Sequence, residues 1–116
     1  NAIEFILSEP LMIVPLLSGG GIRVKIIEGM ALGKAIISTS VGAEGINYTH
    51  KKNIWIANTP KEFTEALDYF EKNPDKVKVF GKEARKLVEN EYSKGLIIDK
   101  LLDFYKKLIS IPIKNP

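Results

Sequence analysis

One stretch of the sequence, residues 11–45, constrains the fold more than any other part of the chain. It reads LMIVPLLSGGGIRVKIIEGMALGKAIISTSVGAEG. The short apolar run from Leu11 to Pro15 is typical of a buried parallel strand. Three consecutive glycines interrupt the pattern, Ile22 to Leu32 has a helical composition that ends at a glycine, and Ala35 to Ser38 is a second apolar strand. This order of strand, turn, helix and strand predicts an α/β fold with parallel strands.

The glycine turn and the helix after it predict an anion site. Free N–H groups point outward from a helix N-terminus, where the helix dipole favours negative charge. Glycines let the backbone approach a ligand closely, and Arg23 and Lys25 add two positive side chains. The first hypothesis is therefore a phosphate held at Gly20 to Val24. The alternative is an ordinary turn with two solvated basic residues, since neither the dinucleotide-binding glycine pattern nor the P-loop is matched.

The string PLLSGGGIRVKIIEGMALGKAIISTSVGAEGI resembles the donor-binding segment of the group 1 family of retaining glycosyltransferases, which have the GT-B fold. The resemblance continues through the NIWIAN strand, the PKEFTEAL helix and the EYS turn. It implies part of a Rossmann-like C-terminal domain, with about three parallel strands alternating with helices and a helical C-terminal tail. Residues 1–116 would then be a partial nucleotide-sugar-binding domain, with the acceptor domain and the first half of this domain absent.

The resemblance also implies an activity. The intact enzyme would transfer a sugar from a nucleotide-diphosphate sugar to an acceptor with retention, and the fragment alone would be inactive. The acceptor would be a carbohydrate or a lipid-linked molecule bound through the absent N-terminal domain. No cofactor and no metal are expected, because basic groups stabilise the leaving diphosphate in this family. The absence of cysteine fits a cytoplasmic location. The basic tail residues Lys106, Lys107 and Lys114 leave peripheral contact at the inner membrane surface as an option beside a solvated tail.

The site residues follow from the same resemblance. Many family members carry two glutamates separated by seven residues, and the second of them, which binds the ribose hydroxyls, corresponds to Glu28. Gly20 stands where the first glutamate is expected, so this chain is similar instead to the subgroup with a triple glycine followed by Arg-x-Lys. Arg23 and Lys25 would carry the catalytic stabilisation of the diphosphate. The implied donor-binding residues are Gly19, Gly20, Gly21, Ile22, Arg23, Lys25 and Glu28.

Two other interpretations concern Glu28 and the loop after the second strand. Glu28 and Lys25 are three positions apart on the predicted helix, so an exposed ion pair is the plainer interpretation of this glutamate. Ligands of parallel sheets sit beyond the carboxyl ends of the strands. Thr39, Ser40 and Gly42 therefore form a candidate donor loop, whereas Glu44 is equally well explained as a solvated loop residue.

The second half of the chain reads as one strand followed by helices. Asn53 to Ala57 is a β-favouring run. Thr59 and Pro60, with a glutamate at the third helical position, are typical of a helix start, and Asn73-Pro74 is expected to start another helix in the same way. Ser93 is expected to cap a last helix. The aromatic residues of these helices are interpreted as core.

Composition excludes several classes of protein. The sequence has no cysteine and one histidine, which argues against disulfides and against a metal site. His50 stands in a polar loop and is interpreted as a surface residue. The net charge of +3 is modest and mixed along the helices, so nucleic-acid binding is not implied. No apolar run approaches the length of a membrane span.

Two alternatives to a glycosyltransferase remain at this point. One is a nucleotide-sugar epimerase of the same fold, which would need base residues that this sequence does not show. A non-catalytic module that binds a phosphate ligand or a partner would use the glycine turn without any chemistry. In either case, if Leu11 to Pro15 lies at an unpaired sheet edge, that edge is a template for self-association.

Overall fold

The computed structural model describes residues 2–15 and 22–91. The elements in chain order are α1 (Ala2–Ser8), β1 (Leu11–Val14), α2 (Ile22–Ala31), β2 (Ala35–Ser38), β3 (Trp55–Ile56), α3 (Pro60–Lys72) and α4 (Pro74–Glu91). The three strands form one parallel sheet in the order β1-β2-β3. Leu11 lies opposite Ala35, and Ile37 lies opposite Trp55. The predicted α/β class with three parallel strands and alternating helices is confirmed, while the helix predicted from Ser93 lies outside the described residues.

The third strand is shorter than the sequence predicts. The expected strand was Asn53 to Ala57, and the structure has β3 at only two residues, with Ile54 in an isolated bridge beside it. The cause is a tight turn at the start of the run. The Asn53 side-chain oxygen accepts the Thr49 N–H at 2.7 Å, and the Asn53 N–H donates to the Thr49 carbonyl at 3.2 Å. Asn53 therefore closes a turn and cannot begin a strand.

The sheet is covered on both faces, and β2 is buried at every position. On one face, α2 and the second half of α4 pack on the sheet through Ile26, Met30, Ile36, Ala84 and Val88. On the other face, α3 and the first half of α4 pack through Ile37, Ala66, Phe70, Val77 and Phe80. The alternation of Ile36 and Ile37 between the two faces is the expected pattern of a parallel strand buried on both sides.

Helix α4 passes from one face of the sheet to the other. Val77 belongs to the core on the α3 side, whereas Val88 belongs to the core on the α2 side. Between them, Gly81 lies against the backbone of Gly33, in the turn just before β2, and a Cβ atom at Gly81 would overlap the Gly33 carbonyl oxygen. Helix α4 thus covers the amino end of β2. The end of α4 reaches the segment after the β2 turn, where the Asn47 side-chain amide donates to the Glu91 carboxylate at 2.9 Å.

The predicted start of α3 is confirmed. Thr59 has extended backbone angles, its hydroxyl accepts the Glu62 N–H at 3.1 Å, and Pro60 occupies the first helical position. The Glu62 carboxylate turns back and accepts the Asn58 N–H at 2.8 Å. These bonds fix the junction between β3 and α3 at the carboxyl end of the sheet.

The start of α4 differs from the prediction in one respect. The helix does begin at Pro74, but the Asn73 side chain does not cap it in the way that Thr59 caps α3. The Asn73 amide donates to the Tyr69 carbonyl at 2.9 Å, and its N–H reaches the carbonyls of Tyr69 and Phe70. Asn73 closes α3 because the last carbonyls of a helix also need donors.

His50 lies over the free edge of β3. Its Nδ1 accepts the Ile56 N–H at 2.9 Å, which gives a partner to an edge-strand amide that has no neighbouring strand among the described residues. The ring also meets Trp55 edge-on at 6.0 Å, and the Lys51 ammonium lies 5.1 Å from the Trp55 ring centre. The expectation that His50 is a surface residue is confirmed, since it is exposed. Its role here is structural.

Acidification is expected to lower the free energy of unfolding, because His50 takes up a proton. Partial burial of the otherwise exposed ring lowers the pKa of His50 below its ordinary value of 6.5, Lys51 lowers it further, and Glu62 acts in the opposite sense. The unfolded chain therefore takes up the proton at a higher pH than the folded chain. The contribution of neutral His50 to the stability of the fold is complete above the pKa that His50 has in the unfolded chain. It is lost as the pH falls through the pKa that His50 has in the folded chain. Urea unfolding at neutral pH and about pH 5 measures this loss.

The matched control is His50→Asn, whose side-chain oxygen can accept the Ile56 N–H without titrating. The wild type should lose more stability on acidification than this variant. An identical loss in the two proteins would show that the hydrogen bond to Ile56 does not depend on the protonation of His50.

Candidate functional site

The candidate site lies at the carboxyl edge of the sheet, defined here as the edge at which β1 and β2 end. Val14 and Ser38 are paired at this edge. The chain that follows β1 enters α2 at Ile22, and the chain that follows β2 forms a turn over residues 40–45. Because β1 and β2 are parallel neighbours, both segments start from the same edge of the sheet. Of the predicted site residues, Gly19, Gly20 and Gly21 lie outside the described residues.

Arg23 joins the two segments. It stands in the first turn of α2 and is exposed, and its side chain packs against Gly45 in the turn after β2. The position that a Cβ would take at Gly45 lies 3.2 Å from the Arg23 Cδ and 3.3 Å from its Cζ. The guanidinium thus lies at the carboxyl edge, beside the N-terminus of α2. A planar cation with five donors next to free helix amides is a suitable partner for a phosphate group.

Lys25 and Glu28 lie farther round the same helix. Residues two apart on a helix do not face each other, so Lys25 points away from the side of Arg23. Lys25 is exposed and, with Ile22, borders a shallow apolar depression of about 340 Å³ that runs along Met12 to Pro15. Glu28 is half-buried, and it lies one helical turn beyond Lys25. The two predicted cations therefore flank the start of α2 on different sides.

Two of the three residues of the predicted donor loop, Thr39 and Gly42, have structural roles inside the loop. Thr39 is buried, and its hydroxyl accepts the Gly42 N–H at 3.0 Å. A Cβ at Gly42 would lie 2.8 Å from the Ser38 hydroxyl oxygen, so this position has no room for a side chain. Ser40 is exposed at the carboxyl edge. Among Thr39, Ser40 and Gly42, Ser40 is the one whose side chain faces outward.

The sequence assigns Asn58 no role and identifies Glu62 only as part of the start of α3, yet both residues hold this loop in place. The Asn58 side-chain oxygen accepts both the N–H and the hydroxyl of Ser40, at 2.9 and 3.1 Å. The Asn58 N–H in turn donates to the Glu62 carboxylate. A usable signal was present, because Asn58 follows β3 directly and the carboxyl ends of parallel strands meet at one edge.

The rest of the loop and of the described surface gives less evidence about function. Glu44 is exposed, as expected of a solvated loop residue. Within residues 2–15 and 22–91, no group of three or more His, Asp or Glu side chains could hold a metal ion. In the same part of the chain, no helix is long and apolar enough to cross a membrane.

Comparison with known proteins places this geometry in a family. A family model described as "Glycosyl transferases group 1" matches residues 3–73, which is more than half of the chain. The chain belongs to the group 1 glycosyltransferases. The matched residues of this glycosyltransferase chain contain β1, α2, the loop after β2 and the start of α3, and therefore every contact of the candidate site described above.

One curated relative is also similar. It is a Klebsiella pneumoniae protein described as "Uncharacterized 44.6 kDa protein in cps region", and it is 25% identical over 91 residues. The aligned part covers 78% of this glycosyltransferase chain and 24% of that protein. The chain thus spans about a quarter of the length of the relative it matches. No solved structure matches the chain.

Proposed function

We propose that this chain supplies the donor site of an enzyme that transfers a sugar, with retention, from a nucleotide-diphosphate sugar to an acceptor. Membership of the group 1 glycosyltransferases supports the transfer of a sugar in general. The observation that carries the donor site is the contact between Arg23 and Gly45. It holds a guanidinium at the carboxyl edge of the sheet, beside the N-terminus of α2, where ligands of parallel sheets bind.

The proposed chemistry at this edge is electrostatic. Negative charge grows on the diphosphate as its bond to the sugar breaks, and groups that stabilise this charge lower the barrier. Arg23 offers a fork that fits two phosphate oxygens, and Lys25 offers a compact charge on the other side of the helix start. The first amides of α2, at Ile22 and Arg23, complete the set. No metal and no cofactor take part in this proposal.

Glu28 is proposed to bind the ribose. It lies five residues after Arg23, a rise of about 7.5 Å along the helix axis. In this proposal the carboxylate lies behind the diphosphate, on the side of Lys25. A carboxylate can accept hydrogen bonds from both ribose hydroxyls. The ribose is uncharged before and during the reaction, so this contact contributes about equally to the ground state and to the transition state.

Substitution of Glu28 by glutamine is expected to weaken the binding of the free nucleoside diphosphate about tenfold with a smaller effect on turnover. A charge-assisted hydrogen bond is replaced by a neutral one, and about 1.4 kcal/mol corresponds to tenfold. Calorimetric titration and steady-state rates of the intact enzyme measure the two effects. Glu44→Gln, in the exposed loop, is the matched control. Equal affinity in the Glu28 variant and the wild type would remove Glu28 from the donor site.

The proposal as a whole is tested by titrating the intact enzyme with the diphosphates of uridine, guanosine, adenosine and thymidine. Binding of at least one of them is expected, with competition by inorganic pyrophosphate. An enzyme that binds none would contradict the donor-site proposal. We further propose that the acceptor, a carbohydrate or a lipid-linked molecule, binds a domain outside this chain. The enzyme is proposed to work in the cytoplasm, at or near the inner membrane surface.

A further inference from the structure

Gly45 occupies a position where any side chain would collide with Arg23. A Cβ atom at this residue would overlap the Arg23 Nη1 and would lie within 3.3 Å of two further atoms of the same side chain. The backbone adds a second requirement, because Gly45 has a φ of +89°, which disfavours residues with a Cβ. The volume of the missing side chain is filled by the guanidinium. Gly45 thus forms a seat for Arg23.

This seat belongs to a well-anchored turn. Ser40, near the start of the turn, is fixed by two hydrogen bonds to the Asn58 side chain. Within the turn, the Ala43 N–H donates to the Thr39 carbonyl and the Ile46 N–H donates to the Ala43 carbonyl, both at 3.1 Å. Ala43 and Ile46 are both buried in the core on the α2 side. Gly45 therefore stands between anchored residues and presents a fixed surface to Arg23.

We propose that Gly45 is a positioning residue for the donor diphosphate, acting through Arg23. This inference rests on the proposed function. A free arginine side chain explores many rotamers, and ordering it on binding costs conformational entropy. In this proposal, packing against Gly45 restricts the rotamers of Arg23 before the ligand arrives, which favours binding by preorganisation. A side chain at position 45 displaces the guanidinium and removes this advantage while all of its donors remain.

The test compares four variants of the intact enzyme with the wild type. Gly45→Ala places a methyl group where the guanidinium packs, Arg23→Ala removes the guanidinium, and the double variant does both. Gly33→Ala is the matched control, because Gly33 also has a positive φ, of +77°, but a Cβ there would meet no atom within 4 Å. Both alanines strain the backbone in the same way, and only the one at position 45 collides with Arg23. Calorimetry with inorganic pyrophosphate and with nucleoside diphosphates gives the affinities.

Gly45→Ala is expected to weaken diphosphate binding about tenfold, Gly33→Ala is expected to bind like the wild type, and the double variant is expected to match Arg23→Ala. Wild-type affinity in Gly45→Ala would overturn the inference and leave the donor site intact. A double variant weaker than Arg23→Ala by the full factor of Gly45→Ala would show that Gly45 acts independently of Arg23, which also overturns it. A wild type that binds no diphosphate would overturn the proposed function and the inference together.

A second readout needs no ligand. The side-chain Nε–Hε resonance of Arg23 in a heteronuclear NMR experiment reports the mobility of the guanidinium. Its loss in Arg23→Lys assigns it. We expect the group to become more mobile in Gly45→Ala and to stay unchanged in Gly33→Ala. Equal mobility of Arg23 in Gly45→Ala and the wild type would overturn the seat by itself.

Discussion

Replacing Gly81 with alanine should destabilise the fold by about 1–3 kcal/mol, the usual cost of overpacking, even though alanine is the better helix former. In an exposed helix the same change would stabilise by about 1 kcal/mol. Here the new methyl group would overlap the carbonyl oxygen of Gly33 and lie close to its carbonyl carbon. Both are backbone atoms of the turn that leads into β2, so neither can move aside without shifting the buried strand.

The matched control is Gly29→Ala in α2. A Cβ at Gly29 would lie 3.1 Å from the Met12 Cε, 3.2 Å from the Met12 Sδ and 3.2 Å from the Ile36 Cδ1. These are the ends of side chains, which can shift by small rotations, and methionine is especially adaptable. Urea unfolding of the two variants should therefore show a clear loss for Gly81→Ala and a much smaller change for Gly29→Ala. A Gly81 variant as stable as the wild type would show that α4 does not cross the sheet at this contact.

The order of the elements was predictable because each signal is local. The apolar runs of β1 and β2, the glycine that ends α2 and the Thr59-Pro60 start of α3 all depend on residues a few positions apart. The crossing of α4 at Gly81 was not predictable in this way. A single glycine inside a helical pattern gives no indication that its partner is Gly33, which is distant in the sequence.

The two departures from the predicted elements have a common cause. Asn53 and Asn73 both have side chains that can bond either to the following segment or to the preceding one. In both cases the side chain serves the preceding segment. Asn53 accepts from Thr49 and shortens β3, and Asn73 donates to Tyr69 and closes α3. Local sequence patterns predict that such a residue marks the boundary of an element. They do not predict whether its side chain bonds to the segment before the boundary or to the segment after it.

The residues of the candidate site also fall into two groups, those that local sequence patterns identify and those whose roles depend on distant segments. The sequence identifies Arg23, Lys25 and the loop after β2, because the glycine turn and the strand ends are local features. It does not identify Asn58 or Gly45, whose roles depend on Ser40 and Arg23 from other segments. The chemistry-bearing groups of this site were therefore visible in the sequence, and the residues that hold them in position became visible only in the fold.

Arg23→Ala in the intact enzyme should weaken donor use by about 10- to 100-fold. Hydrogen bonds to charged groups contribute roughly 1.5–3 kcal/mol, and about 1.4 kcal/mol corresponds to tenfold. The larger part of the effect should fall on turnover, because the charge on the leaving diphosphate is greatest in the transition state. Arg23→Lys should recover part of the activity, since a lysine keeps the charge but loses the fork that engages two oxygens.

The chain offers a close control in its other arginine. Arg85 lies on α4, exposed, and pairs at 2.8 Å with Glu89 one turn later. An exposed ion pair of this kind contributes little to stability. Arg85→Ala removes the same charge and the same side chain from the protein as Arg23→Ala, so any loss of donor binding through net charge alone would appear equally in both variants.

The most direct measurement is the calorimetric affinity of the intact enzyme for its nucleoside diphosphate in the wild type, Arg23→Ala and Arg85→Ala. If the carboxyl edge of the sheet holds the donor diphosphate, Arg23→Ala binds at least about tenfold more weakly and Arg85→Ala binds like the wild type. Equal affinities in all three proteins would contradict this account, because the guanidinium seated on Gly45 would then make no contact with the donor.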